Sequence, residues 1–155
     1  MNVFIIGTPI DTAKVLDNRR LNKQIIECKQ ILKAIDGDTK AWANHPATLQ
    51  YKNHRRWLFS YMMCLIYYKD NQKWGAEQWS KEAEEYKPHW HTEDYFTQMK
   101  RRLFTKNNEH YSQWSHLGES EVNMYYVNNK WKYYYGSRKY SYDYCRKWKD
   151  NGVLC

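Results

Sequence analysis

The sequence predicts a mainly α protein: a compact single-domain helical fold over residues 1–155, with an N-terminal arm and an irregular, aromatic-basic C-terminal segment. Three observations carry that prediction. Apolar residues recur at helical spacing in three long stretches. Capping residues, prolines and a glycine punctuate those stretches where helices begin and end. A chain of 155 residues is also long enough to bury one core without disulfides or a metal.

Residues 2–7 form a short apolar run that suits an extended arm or an edge strand, closed by the turn-forming Gly7-Thr8-Pro9. A first long helix is expected from Asp11 or Thr12. Within it Leu21, Ile25, Cys28, Leu32 and Ile35 step by four and three residues along one face, and Gly37 is placed to end it. The same geometry puts Leu16, Arg20, Lys23 and Glu27 on a second stripe beside the first, so Glu27 sits near two cations at the edge of the core.

Asn44-His45-Pro46 reads as a helix entrance, since proline at the first helical position sacrifices no hydrogen bond. The helix that follows runs to about Asp70 with Leu58, Tyr61, Met62, Leu65 and Tyr68 at helical spacing. Residues 71–87 are polar and locally acidic, with Glu77, Glu82, Glu84 and Glu85, and suit a solvated helix or loop. A third helix, capped by Thr92 or Asp94, passes through Phe96, Met99, Leu103 and Phe104 and carries Lys100, Arg101, Arg102 and Lys106. From Tyr111 onward no period is evident, and no repeat or linker divides the chain.

Lys and Arg number 25 against 17 Asp and Glu, a formal net charge of +8, which points to a polyanionic partner. Fifteen Tyr and eight Trp exceed what one core of this size needs, and exposed rings can stack on bases. The last forty or so residues interleave Tyr and Trp with Lys and Arg, an alternation that meets phosphates and unstacked bases along one segment. The competing reading is a tyrosine-rich segment docked on the helices with its lysines in solvent.

Cys28, Cys64, Cys145 and Cys155 lie far apart with no CxxC pair, which argues against a zinc knuckle or a disulfide framework. The start has neither the basic flank nor the length of a signal peptide, and no run approaches a membrane span. The expectation is an intracellular protein with free thiols, in the cytoplasm or nucleoid of a cell or of a virus's host.

Among chemical groups, Glu27 is the leading acid/base candidate, a carboxylate on a rigid helix beside Arg20 and Lys23; read alone, such a group is more often a surface ion pair. His89 and His91 could be metal ligands, but no further ligand follows at suitable spacing, so an ordinary loop is the plainer reading. No glycine-rich phosphate loop is present.

Leu16-Asp17-Asn18-Arg19-Arg20-Leu21-Asn22-Lys23-Gln24-Ile25-Ile26-Glu27, followed by Trp42-Ala43-Asn44-His45-Pro46, resembles the signature of the pyrimidine-dimer DNA glycosylase/AP lyase (endonuclease V) family of phage and bacterial proteins. The segment from residue 88 to 114, with Arg101-Arg102-Leu103, Lys106 and Glu109-His110-Tyr111, is similar to one in the bacterial members. Trp131-Lys132-Tyr133-Tyr134-Tyr135-Gly136 resembles the phage enzyme's C-terminal Trp-x-x-Tyr-Tyr-Gly.

The resemblance implies a compact helical domain with its N-terminal arm threaded between helices, and a mechanism that uses the terminal α-amine. The amine attacks the sugar C1′ and expels the base, and β-elimination from the resulting imine cuts the strand. An α-amine has an unperturbed pKa of about 7.7 to 8.0, so a useful fraction is neutral near pH 7. The phage enzyme exposes a threonine by methionine removal; here the bulk of Asn2 leaves Met1 in place, so Met1, with Asn2 behind it, supplies the implied nucleophile. Glu27 falls on the family's catalytic glutamate, and Arg20 falls where the phage enzyme has a histidine on its DNA-facing helix.

The DNA-binding set implied is Arg19, Arg20, Lys23, His45, Arg101, Arg102, Trp131, Lys132, Tyr134, Tyr135 and Arg138. No metal or cofactor is expected, the partner is double-stranded DNA with a damaged or modified pyrimidine, and the protein is expected to act as a monomer away from membranes. The alternative is a non-catalytic DNA- or RNA-binding module on the same fold.

Overall fold

The computed structural model describes residues 1–135, and its chain divides into two compact units, Met1–His91 and Thr92–Cys155. Among the described residues the architecture is mainly helical, with one two-stranded sheet. No described helix is long and apolar enough to cross a membrane.

In the first unit the chain enters as an extended arm. Val3, Phe4 and Ile5 are buried, yet among the described residues no strand pairs with the arm. Buried backbone N–H and C=O groups need partners, and here side chains of the helices supply them. Phe4 N–H donates to Gln24 Oε1 (2.9 Å), Gln24 Nε2 donates to the Asn2 carbonyl (2.7 Å), and Ile6 N–H donates to Thr12 Oγ1 (3.1 Å). The Tyr61 hydroxyl donates to the Phe4 carbonyl.

The single long helix expected from Asp11 or Thr12 is two helices. α1 spans Pro9–Val15, begins one turn earlier with Thr8 as its cap, and ends where Leu16 turns extended. α2 spans Asn18–Ile35 after an extended Asp17. The break takes Leu16 out of the stripe with Arg20, Lys23 and Glu27, and the remaining three lie on α2. Leu21, Ile25, Cys28 and Leu32 are buried on α2 as their spacing implies, and Gly37 follows its end at φ +78, a left-handed conformation that glycine adopts without steric cost.

The helix expected from Pro46 to about Asp70 is likewise split, into α3 (Pro46–Tyr51) and α4 (Arg55–Lys69). His45 caps α3 through its ring: Nδ1 accepts the Ala47 N–H at 3.1 Å. α5 (Lys73–Glu85) covers most of the polar stretch and packs on α4 through a narrow face of Ala76, Ser80 and Ala83. Close approach needs Gly75, where a Cβ would lie 2.4 Å from Tyr67 Cδ1.

The core contains a column of parallel rings. Tyr51 stacks on Trp57 at 5.3 Å and Trp57 on Tyr61 at 5.0 Å, with the edge of His91 against Trp57 at 4.5 Å. The Tyr51 hydroxyl lies 3.1 Å from His91 Nε2.

The second unit begins with α6 (Glu93–Lys106), capped by the Thr92 side chain as expected. A 3-10 helix, Ser112–Leu117, follows. Part of the segment expected to be irregular is a β-hairpin: β1 (Val122–Val127) pairs antiparallel with β2 (Lys130–Tyr135). Asn128 and Asn129 form its turn with φ +54 and +61, the backbone that a two-residue hairpin requires and asparagine tolerates. Period-two alternation was hidden because both faces of the strands carry aromatic residues. The tail beyond, with Gly136 and Arg138, lies outside the described residues.

Candidate active site

α2 positions the central carboxylate. Glu27 is 9% exposed, one turn beyond Gln24 on the flank that faces the arm. Its Oε2 accepts the Asn2 backbone N–H at 3.4 Å and Gln24 Nε2 at 3.3 Å, while Lys23 Nζ approaches Oε1 at 3.9 Å. A terminus in this place follows from the arm's burial, since side chains of α2 and α4 hold Asn2 and Phe4 by their backbones.

Gln24 was not singled out in the sequence, and it organises this corner. Its amide carbonyl accepts from Phe4 while its NH₂ donates to both Asn2 O and Glu27. One side chain thus binds the arm as a neighbouring strand would and presents the second residue of the chain to the carboxylate. The signal was available: a glutamine between Leu21 and Cys28, on the flank of the apolar stripe, is a buried polar group in search of partners.

His45 stands near the same place. Burial, followed by the positive charge of the terminal amine, lowers its pKa to about 4. The ring is therefore neutral near pH 7, consistent with a Nδ1 that accepts from Ala47 and leaves the proton on Nε2.

The other candidates are distributed as follows. Arg19 and Lys23 are exposed and Arg20 is half-exposed along α2. Arg101 Nη2 donates to the Glu119 carbonyl at 3.0 Å, and the buried Arg102 donates from Nη1 to the Ser120 carbonyl at 3.1 Å, so both tie α6 to the strand of chain leading into the hairpin. The hairpin register sorts the rest. Trp131 pairs with Tyr126 on one face, Lys132 and Tyr134 pair with Tyr125 and Asn123 on the other, and the backbone of Tyr135 pairs with Val122. Trp131 stacks on Tyr95 of α6 at 5.5 Å.

His91, a metal candidate in the sequence, is buried in the ring column, with a pKa lowered to about 3 by burial first and then by the charges of Lys87 and His54. His89 is exposed. Among the described residues no group of three His, Cys, Asp or Glu is placed to hold a metal ion. Cys28 and Cys64 are free and buried, and Cys145 and Cys155 lie outside the described residues.

The first unit is thus a helical unit that seats an extended N-terminal arm against a buried carboxylate. Residues 1–74 match the family model described as pyrimidine dimer DNA glycosylase. The match supports the family that the motifs resemble, over the part of the chain that holds Gln24, Glu27, Trp42, His45 and Tyr61. No curated protein and no solved structure matches the chain.

Proposed function

We propose that the protein is a DNA glycosylase with AP lyase activity, acting on damaged or modified pyrimidines in duplex DNA through its terminal amine and Glu27. The observation that carries the reading is the 3.4 Å contact between the Asn2 N–H and Glu27 Oε2, one residue from the amine of Met1.

The neutral amine forms a bond to C1′ as the C1′–N bond breaks, and the departing base takes that electron pair and a proton. The carboxylate of Glu27 takes a proton from the new ammonium and passes it to O4′ as the sugar ring opens, which leaves a protonated imine at C1′. Removal of a C2′ proton then expels the 3′ phosphate, and water releases the amine. Arg19, Arg20 and Lys23 on α2, with Lys132 and Tyr134 of the hairpin, supply charge and stacking for the DNA, and Arg138 adds a further cation. The expected protein is a monomer inside the cell.

The test is borohydride trapping on a duplex with one abasic site, alongside a duplex with one pyrimidine dimer. A covalent adduct that disappears when the terminal amine is blocked is expected; an adduct that survives blocking removes the assigned nucleophile. Glu27→Gln is expected to retain DNA binding and lose strand cleavage by about 10²- to 10⁴-fold.

One observation favours a second reading, a non-catalytic DNA- or RNA-binding module. Glu27 Oε2 accepts from Asn2 and Gln24, which are bonds a purely structural carboxylate would make. That reading predicts no adduct with the wild-type protein at all.

A further inference from the structure

Tyr61 lies in the middle of α4 and is fully buried. Phenylalanine would fill nearly the same volume there, and a phenol adds a polar group that burial penalises unless its hydroxyl is bonded. The bond it makes is to main chain. The hydroxyl donates to the Phe4 carbonyl of the arm and lies 3.3 Å from Gln24 Oε1.

That bond completes a clamp. The Phe4 N–H donates to Gln24 of α2 at 2.9 Å and the Phe4 carbonyl accepts from Tyr61 of α4, so two helices that pack on each other hold the two backbone groups of one residue. An extended chain advances about 3.3 Å per residue. Only Val3 separates the clamp from Asn2, whose N–H meets Glu27 Oε2 at 3.4 Å, so no slack chain lies between them to absorb a shift. Gln24 serves the arm and Glu27 alike, whereas Tyr61 grips the arm from the facing helix.

The clamp has a rigid back. The Tyr61 ring stacks on Trp57 at 5.0 Å and 10°, and Trp57 stacks on Tyr51 at 5.3 Å and 12°. Trp57 is buried, and its Nε1 has no hydrogen-bond partner. Burying that N–H unbonded is a cost an all-carbon ring would not carry; what the indole adds is a broad face for a ring on either side.

We propose that Tyr61 is a positioning residue of the reaction: by fixing the register of the arm at Phe4 it holds the terminal amine at working distance from Glu27, with the Tyr51–Trp57 stack as its brace. The inference rests on the amine-and-carboxylate reading above. It differs from a role in stability alone, because an amine misplaced by about 1 Å in a folded protein still reacts far more slowly.

Tyr61→Phe removes one hydroxyl and keeps the ring, and replacing Tyr61 by para-aminophenylalanine restores a donor at the same place. Gly75→Ala, which strains the α4–α5 contact at Tyr67 rather than the arm, serves as a destabilised control. Each is compared with the wild-type protein well below its melting temperature. Affinity is measured on a duplex with a tetrahydrofuran abasic-site analogue, and the rate of borohydride trapping on the same duplex with an abasic site, at saturating protein. Tyr61→Phe is expected to bind within about two-fold of wild type and to trap about 10²-fold more slowly. The para-aminophenylalanine protein recovers most of that rate, and Gly75→Ala binds and traps as wild type does. Trp57→Phe, which narrows the brace and leaves the hydroxyl in place, is expected to show a smaller loss of the same kind, in rate and not in affinity.

Equal trapping by Tyr61→Phe and Gly75→Ala overturns the proposal, as does a loss that the para-amino group fails to restore or one that weaker binding accounts for. Trapping by the wild-type protein separates the two failures. With a wild-type adduct, any of these results removes only the role of Tyr61; without one, the enzymatic reading falls and takes the proposal with it.

Discussion

Gln24 reaches Asn2 from the middle of α2, its Nε2 lying 2.7 Å from the Asn2 carbonyl while the same amide accepts from Phe4. Two backbone groups of a buried arm thus depend on one side chain, and so does the approach of the terminus to Glu27.

Gln24→Ala should release both backbone groups. Each buried group left without a partner costs about 1–3 kcal/mol, so a loss of roughly 2–6 kcal/mol is expected in urea unfolding. Borohydride trapping on abasic DNA should fall more steeply than duplex affinity, because the amine loses its place while the cations of α2 keep theirs.

Acid should weaken the fold through its buried imidazoles. His91 and His45 are held below the ordinary histidine range, at about 3 and about 4, by burial first and then by neighbouring positive charge. The unfolded chain takes up protons near pH 6.5 that the folded chain refuses, so stability is complete above that pH and falls as the pH drops toward 4. Buried His91 alone should contribute a slope approaching ~1.4 kcal/mol per pH unit across this window, and half-exposed His45 less. Unfolding free energies measured from pH 7 to 4.5 should show the slope, and His91→Asn should flatten it while lowering stability at pH 7.

At Gly75 the usual rule for helices should reverse. Glycine to alanine inside a helix ordinarily stabilises by about 1 kcal/mol. Here the added Cβ would meet the Tyr67 ring at 2.4 and 2.8 Å, so the contact between α4 and α5 must open. Overpacking of this kind costs about 1–3 kcal/mol, and Gly75→Ala is expected to lower the melting temperature.

Adjacent residues of the hairpin should behave as opposites. Lys132→Ala should leave the melting temperature nearly unchanged and weaken duplex binding, with the slope of log affinity on log salt reduced by about one. Trp131→Ala removes the stack on Tyr95 and should destabilise the second unit by about 2 kcal/mol or more. A titration of binding against salt and a thermal melt on each variant distinguish the two.

The mainly helical class, the arm, the ends at Gly37 and Thr92, the buried face of α2 and the candidacy of Glu27 were all readable from spacing, capping and motif, because each depends on residues within a few positions of one another. The breaks at Leu16–Asp17 and between α3 and α4 were not, since helical periodicity runs smoothly across them. The turn at Asn128-Asn129 was legible in principle, yet strands with rings on both faces mask alternation.

What the order of residues determined by itself was local: which stretches coil, where they stop, and which acid stands among cations. What only the tertiary structure decided was company. Asn2, Gln24 and Tyr61 are drawn together from distant positions in the chain because buried backbone groups must find partners, and the column of Tyr51, Trp57 and Tyr61, with His91 edge-on, closes because aromatic rings gain by offset-stacked and edge-to-face burial. No local pattern encodes a meeting between residues so far apart in the chain; it is settled when the whole unit satisfies its buried polar groups at once.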